Sequence, residues 1–160
     1  MATYETELLQ RVTAMQIEAL ASIGVIADAK PYFYHTQESF PYFTNRIADN
    51  SIGDDGSADI DLNNPVVIMR LVIAHLTSGY KGEPETRVYE YGPIVKTWFN
   101  DRQWLTSAAY PTRMDNLQLE RVVNNGGLRA FENTGISAIQ VGREIQLACI
   151  FYENIDQDEY

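Results

Sequence analysis

Val-Val-Ile-Met-Arg-Leu-Val-Ile-Ala-His-Leu-Thr, residues 66–77, is the longest apolar run in the chain, with 9 apolar residues in 12. It is rich in β-branched side chains, Asn63-Asn64-Pro65 stands before it and Ser78-Gly79 follows it. This composition and punctuation predict a buried central strand around which the other elements are arranged. A core helix competes, because periodicity alone cannot separate the two in a short apolar run; the β-branched content and the flanking Pro and Gly favour the strand. Arg70 and His75 interrupt the run. Side chains alternate along a strand, so an even and an odd position are expected to face opposite ways. Each face then meets something polar, either a neighbouring subunit or the satisfied ends of the strand itself.

A chain of 160 residues with 45% hydrophobic content can bury one real core, and residues 1–160 are expected to form a single domain. The formal net charge is −10, which disfavours holding a nucleic-acid duplex by phosphate neutralisation. No segment approaches the roughly 20 apolar residues that cross a bilayer, and Met1-Ala2-Thr3-Tyr4-Glu5 lacks the basic start of a signal peptide. The expectation is a chain with neither membrane span nor leader. Cys149 is the only cysteine, so an intrachain disulfide is impossible.

The N-terminal part, about residues 4–23, reads as an amphipathic helix. Leu8, Val12, Met15, Ala19 and Ile23 recur at helical steps, Thr3 is placed to cap, Glu5 and Glu7 suit the positive end of the dipole, and Gly24 is placed to stop it. A second helix is expected over about 93–105, opening at Gly92-Pro93 with Pro93 as first helical residue. Ile94, Val95, Trp98, Phe99, Arg102 and Leu105 would form its packed face. Residues 87–91 before it alternate weakly, as a short strand or lead-in.

Between these helices, residues 29–64 predict a long loop or arm. Tyr32, Phe33, Tyr34, Phe40, Tyr42 and Phe43 place six aromatics in twelve positions, and Asp49, Asp54, Asp55, Asp59 and Asp61 follow with no Lys or Arg from residue 47 to residue 69. Aromatics beside prolines on such an excursion suit a protein contact, so these six, with Arg70, are the candidate interface residues. The five aspartates are the candidate acidic channel or loop residues. A hairpin whose rings cover the core is the plainer alternative.

The last third predicts an antiparallel meander: a strand over 117–123, a hairpin turn at Asn124-Asn125-Gly126-Gly127, a return over 128–131, a second turn at Glu132-Asn133-Thr134-Gly135, a short piece over 136–140 and a half-buried strand over 145–151. Residues 153–160 form an acidic tail. The fold class is therefore α+β, a mostly antiparallel sheet of about four to five strands packed by two helices.

Reactive groups do not assemble in the sequence. Cys149 sits in an alternating apolar strand where thiols are inert packing. His35 and His75 match no zinc spacing, and no nucleophile elbow or phosphate loop occurs. Asp59, Asp61 and Asn63 suggest a calcium loop, but Asn64 stands where a turn glycine is needed and Arg70 where a bidentate glutamate is needed. No catalytic residue, cofactor or metal is expected.

The central run with Gly79-Tyr80-Lys81-Gly82, then Tyr91-Gly92-Pro93-Ile94-Val95, Trp104-Leu105-Thr106-Ser107, Gly126-Gly127-Leu128, Gly135 and Val141-Gly142-Arg143-Glu144 form an ordered series of short signatures over about residues 60–155. In that order they resemble the tail terminator and tail completion proteins of tailed bacteriophages, the minor tail proteins of the neck. The resemblance implies a structural virion protein without catalytic residues. Its expected form is a homo-oligomeric ring, commonly hexameric, at the head-proximal end of the tail tube. Tail tube and head-side connector proteins would be its partners, and genomic DNA would pass through the lumen without specific binding. An acidic lining suits such passage. Its location would be the neck of the virion, with the host cytoplasm as its place during assembly.

A head-tail connector or stopper ring is the alternative within that class. A small cytoplasmic enzyme or ligand-binding domain, with Tyr32, Tyr34, Tyr42 and Trp98 lining a pocket, is the alternative outside it.

Overall fold

The computed structural model describes residues 4–32, 41–53, 62–76, 82–123, 129–132 and 139–152. Among them the elements run α1 (Tyr4–Ala21), β1 (Asp28–Lys30), β2 (Tyr42–Gly53), β3 (Leu62–Leu76), α2 (Gly82–Asn100), β4 (Leu117–Val123), β5 (Arg129–Glu132) and β6 (Ile139–Tyr152). The strands make one sheet in the order β1-β2-β3-β6-β4, with β5 also beside β6. Only β1–β2 is parallel; the other pairings are antiparallel. The expected α+β class, a mostly antiparallel sheet packed by two helices, is the fold observed.

Residues 66–76 of the apolar run lie in β3, between β2 and β6. Val67, Met69, Leu71 and Ile73 face the helices in the main core, while Val72 and Ile68 are buried on the other side. A strand covered on both faces needs no polar alternation, which is why the sequence shows a continuous apolar run. α1 contributes Leu8, Val12, Met15, Ala19 and Leu20 to the core, and α2 contributes Val88, Tyr91, Val95 and Phe99. The two helices therefore lie side by side on one face of the sheet.

α1 ends as its sequence directs. Gly24 takes φ +80°, its N–H donates to the Ala21 carbonyl at 3.0 Å, and the Val25 N–H donates to the Leu20 carbonyl at 3.0 Å. That pair of bonds satisfies two of the last carbonyls of the helix.

Four expectations are corrected. First, α2 begins at Gly82, so residues 87–91 are helical and Pro93 lies inside the helix. Val88, Tyr91, Val95 and Phe99 recur at three- and four-residue steps and bury, and tertiary packing outweighs the lost proline N–H. The helix stops at Asn100, and Leu105 lies beyond it with φ +57°. Second, the described residues of the expected arm at 29–64 are mostly in strands: β1 and β2 occupy residues 28–30 and 42–53, and β2 pairs with β3 up to Gly53 and Leu62. Third, β5 does not return from a hairpin. β4 and β5 both pair antiparallel with β6 on the side away from β3, β4 opposite residues 146–151 and β5 opposite residues 139–142. The chain thus continues along the same edge. Fourth, a bulge between Val72 and Ala74 changes the phase of β3. His75 then registers with Gln140 and Arg70 with Glu144, with one residue of β3 left unpaired between them.

One buried polar pair joins the layers. Gln16 Nε2 donates to Asn45 Oδ1 at 2.7 Å, and Asn45 Nδ2 donates to Gln16 Oε1 at 2.9 Å and to the Lys30 carbonyl at 2.9 Å. Both side chains are fully buried, so the bonds link α1, β1 and β2 where water cannot substitute.

Four variants test these contacts by urea unfolding. Asn45→Ala, which strands the Gln16 amide and the Lys30 carbonyl, should lower stability by about 3 kcal/mol. The double variant Gln16→Leu/Asn45→Leu should lose less than the sum of its single changes. Gly142→Ala should lose about 3 kcal/mol, because its Cβ would overlap the Leu71 carbonyl; Gly24→Ala, where a Cβ meets nothing, should lose about 1 kcal/mol through its left-handed backbone.

Candidate functional site

Three stretches far apart in sequence meet where α2 crosses β6 and β3. Gly142 lies against the backbone of Leu71 and Val72, and any side chain there would collide with it. The next residue, Arg143, extends toward α2, where its guanidinium occupies the space a Cβ on Gly92 would need. Its Nη1 donates to the Val88 carbonyl at 3.3 Å, about one turn before Gly92. Burial draws the Arg143 pKa down from its ordinary value and the neighbouring Tyr89 opposes this; a guanidinium remains a cation regardless. Glu144 then points to the other face, where it pairs with Arg70 at 3.6 Å, a cross-strand contact worth about 0.2–1 kcal/mol.

A second feature lies on the outer side of the helices. Two adjoining clefts, of about 690 and 440 Å³, open between the C-terminal turns of α1 and α2 and share Ser22, Trp98 and Arg102. The Arg102 guanidinium stacks on the Trp98 ring, 3.4 Å from its centroid. Glu18 accepts from the Ala108 N–H at 2.6 Å and so fixes the loop that forms the third wall. Deeper between α1 and this loop, Arg11 is buried, donates to Glu7 at 2.9 Å and to the Leu105 carbonyl at 3.1 Å, and lies 5.1 Å from the centre of the Tyr110 ring. Those contacts hold Leu105 in its left-handed conformation.

Among the candidate interface residues, Tyr32 stands exposed just after β1. Phe33, Tyr34 and Phe40 lie outside the described residues. Tyr42 and Phe43 are corrected: both are fully buried, Phe43 in the main core and Tyr42 on the other face of β2, so they are packing residues. Arg70 is engaged with Glu144. Asp49 sits on β2 in register with Val66, while Asp54, Asp55, Asp59 and Asp61 lie outside the described residues. Tyr42 and Trp98 fall on opposite sides of the sheet and share no pocket. Among the described residues no group of His, Cys, Asp or Glu is placed to hold a metal, and no helix is long and apolar enough to cross a membrane.

Sequence reading missed Arg11, Gln16 and Asn45, the buried polar residues that join helix to sheet and loop. Arg11 and Gln16 are interruptions of the apolar face of α1, and that was the available signal.

Burial pushes the Cys149 thiol up from 9.0 to about 12, with the nearby Glu120 charge adding to the shift. The unfolded thiol ionises at lower pH, so this stabilisation is complete below pH 9 and is lost as the pH rises toward 12. Between pH 8 and 10 the native chain should lose about 1.4 kcal/mol more stability than Cys149→Ala does. Thiol reagents should label Cys149 only on unfolding.

No protein-family model matches the chain, and no curated protein matches it.

Proposed function

We propose that the chain is a structural, non-catalytic subunit of a bacteriophage neck: a tail terminator that closes into a ring on the head-proximal end of the tail tube, stops tube growth and receives the head-side connector. The observation that carries this reading is the convergence at the α2–β6–β3 junction. The central run, Tyr91-Gly92-Pro93 and Gly142-Arg143-Glu144 are separate signatures of the resemblance, yet Gly142 lies against Leu71, its neighbour Arg143 lies against Gly92, and Arg70 meets Glu144. Residues that resemble a family at one packed junction share a reason to occur together, because each leaves the room or supplies the partner that another requires.

The charge balance also supports this reading. A net charge of −10 suits a lumen through which DNA moves without adhering, since phosphate contacts would hold it in place. The junction fits a head-tail connector ring equally, and that reading differs in its partner.

Native mass measured with and without purified tail tube protein tests the proposal. The expected result is a ring of several copies that caps the tube end and halts its extension. Binding to a portal-side protein in place of the tube would favour the connector. A chain that stays monomeric and engages neither partner would end both readings.

A further inference from the structure

α2 is one helix in outline and two in its anchoring. Pro93 stands in its interior at an exposed position. Having no N–H, it leaves the Tyr89 carbonyl without the amide that a regular helix supplies four residues on. On the N-terminal side of that gap Val88 and Tyr91 bury in the core, and on the C-terminal side Val95 and Phe99 do. Further bonds close the C-terminal half: the Asp101 N–H donates to the Thr97 carbonyl at 3.0 Å, the Arg102 N–H to the Phe99 carbonyl at 3.0 Å, and Arg102 Nη1 to the Trp98 carbonyl at 3.1 Å.

The gap falls where β6 reaches the helix. Gly92, next to Pro93, leaves the room that the Arg143 guanidinium occupies, and Arg143 Nη1 donates to the Val88 carbonyl at 3.3 Å. Val88 lies in the turn just before the gap, so a side chain rooted in the sheet grips the N-terminal half at its last turn. A hydrogen bond from a charged donor is of the same order as the cost of a proline inside a helix, so the one offsets the other. The closed arrangement therefore depends on a contact that a single long side chain can make or release.

We propose that α2 is a jointed helix: residues 82–92 open from the sheet as one unit while residues 94–100 stay docked, and Arg143 is the latch that holds the joint shut. An uninterrupted helix propagates its order from turn to turn, whereas a missing bond at Pro93 lets one side open without the other. Opening bares Val88 and Tyr91, so the closed chain conceals apolar surface that the open chain presents. Arg143 acts here as a positioning residue for a helix segment. The joint is independent of whether the chain assembles into a ring.

Hydrogen exchange of the full chain, followed amide by amide by ¹H–¹⁵N correlation, tests the joint. Amides 88–92 should exchange together, about 100-fold faster than amides 97–100, at rates that low urea leaves unchanged because a local opening exposes little surface. Arg143→Met keeps the stem and removes the donor; it should speed amides 88–92 about tenfold further and leave amides 97–100 as they were. Pro93→Ala restores the missing N–H at an exposed position without removing a buried contact, and should slow amides 88–92 by about tenfold toward the rate of the other half. Equal protection on the two sides of Pro93, or an equal response of both halves to Arg143→Met, would overturn the proposal. So would a smooth gradient of protection from residue 86 to residue 96, the mark of fraying from the Gly82 end, or exchange at 88–92 indifferent to both substitutions.

Discussion

The backbone of β6 approaches β3 at Gly142 and Leu71 more closely than any side chain would allow, and the arrangement of both layers follows from that contact. The bulge at Val72–Ala74 lies directly opposite, where an extra residue bends the strand and shifts its phase. The alternation of β6 then sends Arg143 toward α2 and Glu144 toward Arg70, so neighbouring residues secure the helix on one side and the central strand on the other. Gly92 completes the fit by leaving room on α2 for the guanidinium. Small residues are required on both elements for the same reason: the space is already filled by backbone or by arginine.

Hydrophobic burial is non-directional and would tolerate several placements of α1 on the sheet. The polar contacts select one. The reciprocal amide pair between Gln16 and Asn45 fixes the middle of the helix against β2, and a slip of β2 by one residue would turn Asn45 to the other face and strand both amides. Arg11 adds a second constraint a turn and a half earlier by holding the Leu105 carbonyl. Shape and burial thus supply most of the stabilising free energy, while a few buried hydrogen bonds make the arrangement unique.

The strongest elements were legible in the sequence. α1 carried an apolar stripe, acidic residues in its first turn and a terminating glycine: Leu8, Val12, Met15 and Ala19 bury and Gly24 closes the helix, whereas Ile23, expected on the stripe, lies past the helix end and is exposed. The 66–77 run was legible as a central strand because its β-branched content and its flanking Pro and Gly outweigh the two polar interruptions, Arg70 and His75. α2 was misread at its start: Val88-Tyr89-Glu90-Tyr91 satisfies an alternating pattern and a helical one over so short a span, and Pro93 looked like a beginning. β2 was hidden because Tyr42 and Phe43 are aromatic enough to resemble a contact loop, although both bury. The Asn-Asn-Gly-Gly turn chemistry pointed to a reversal, yet β5 keeps to the same edge as β4, a choice set by pairing with β6 that no local signal contains. The interhelical cleft had no sequence signature, since Trp98 and Arg102 read as ordinary helix-face residues until the end of α1 is placed beside them.

The margins of the sheet carry a further consequence. β1 is three residues long and is followed at once by Pro31, while β4 is interrupted by an irregularity between Leu119 and Arg121 with Glu120 and Arg121 both exposed. A three-residue margin ending at a proline and a margin broken by an irregularity are each poor templates for another chain to extend. Strand addition at β1 or at the Leu119–Arg121 irregularity is disfavoured, which leaves recognition there to side chains, whose shape and charge can discriminate where a bare backbone cannot.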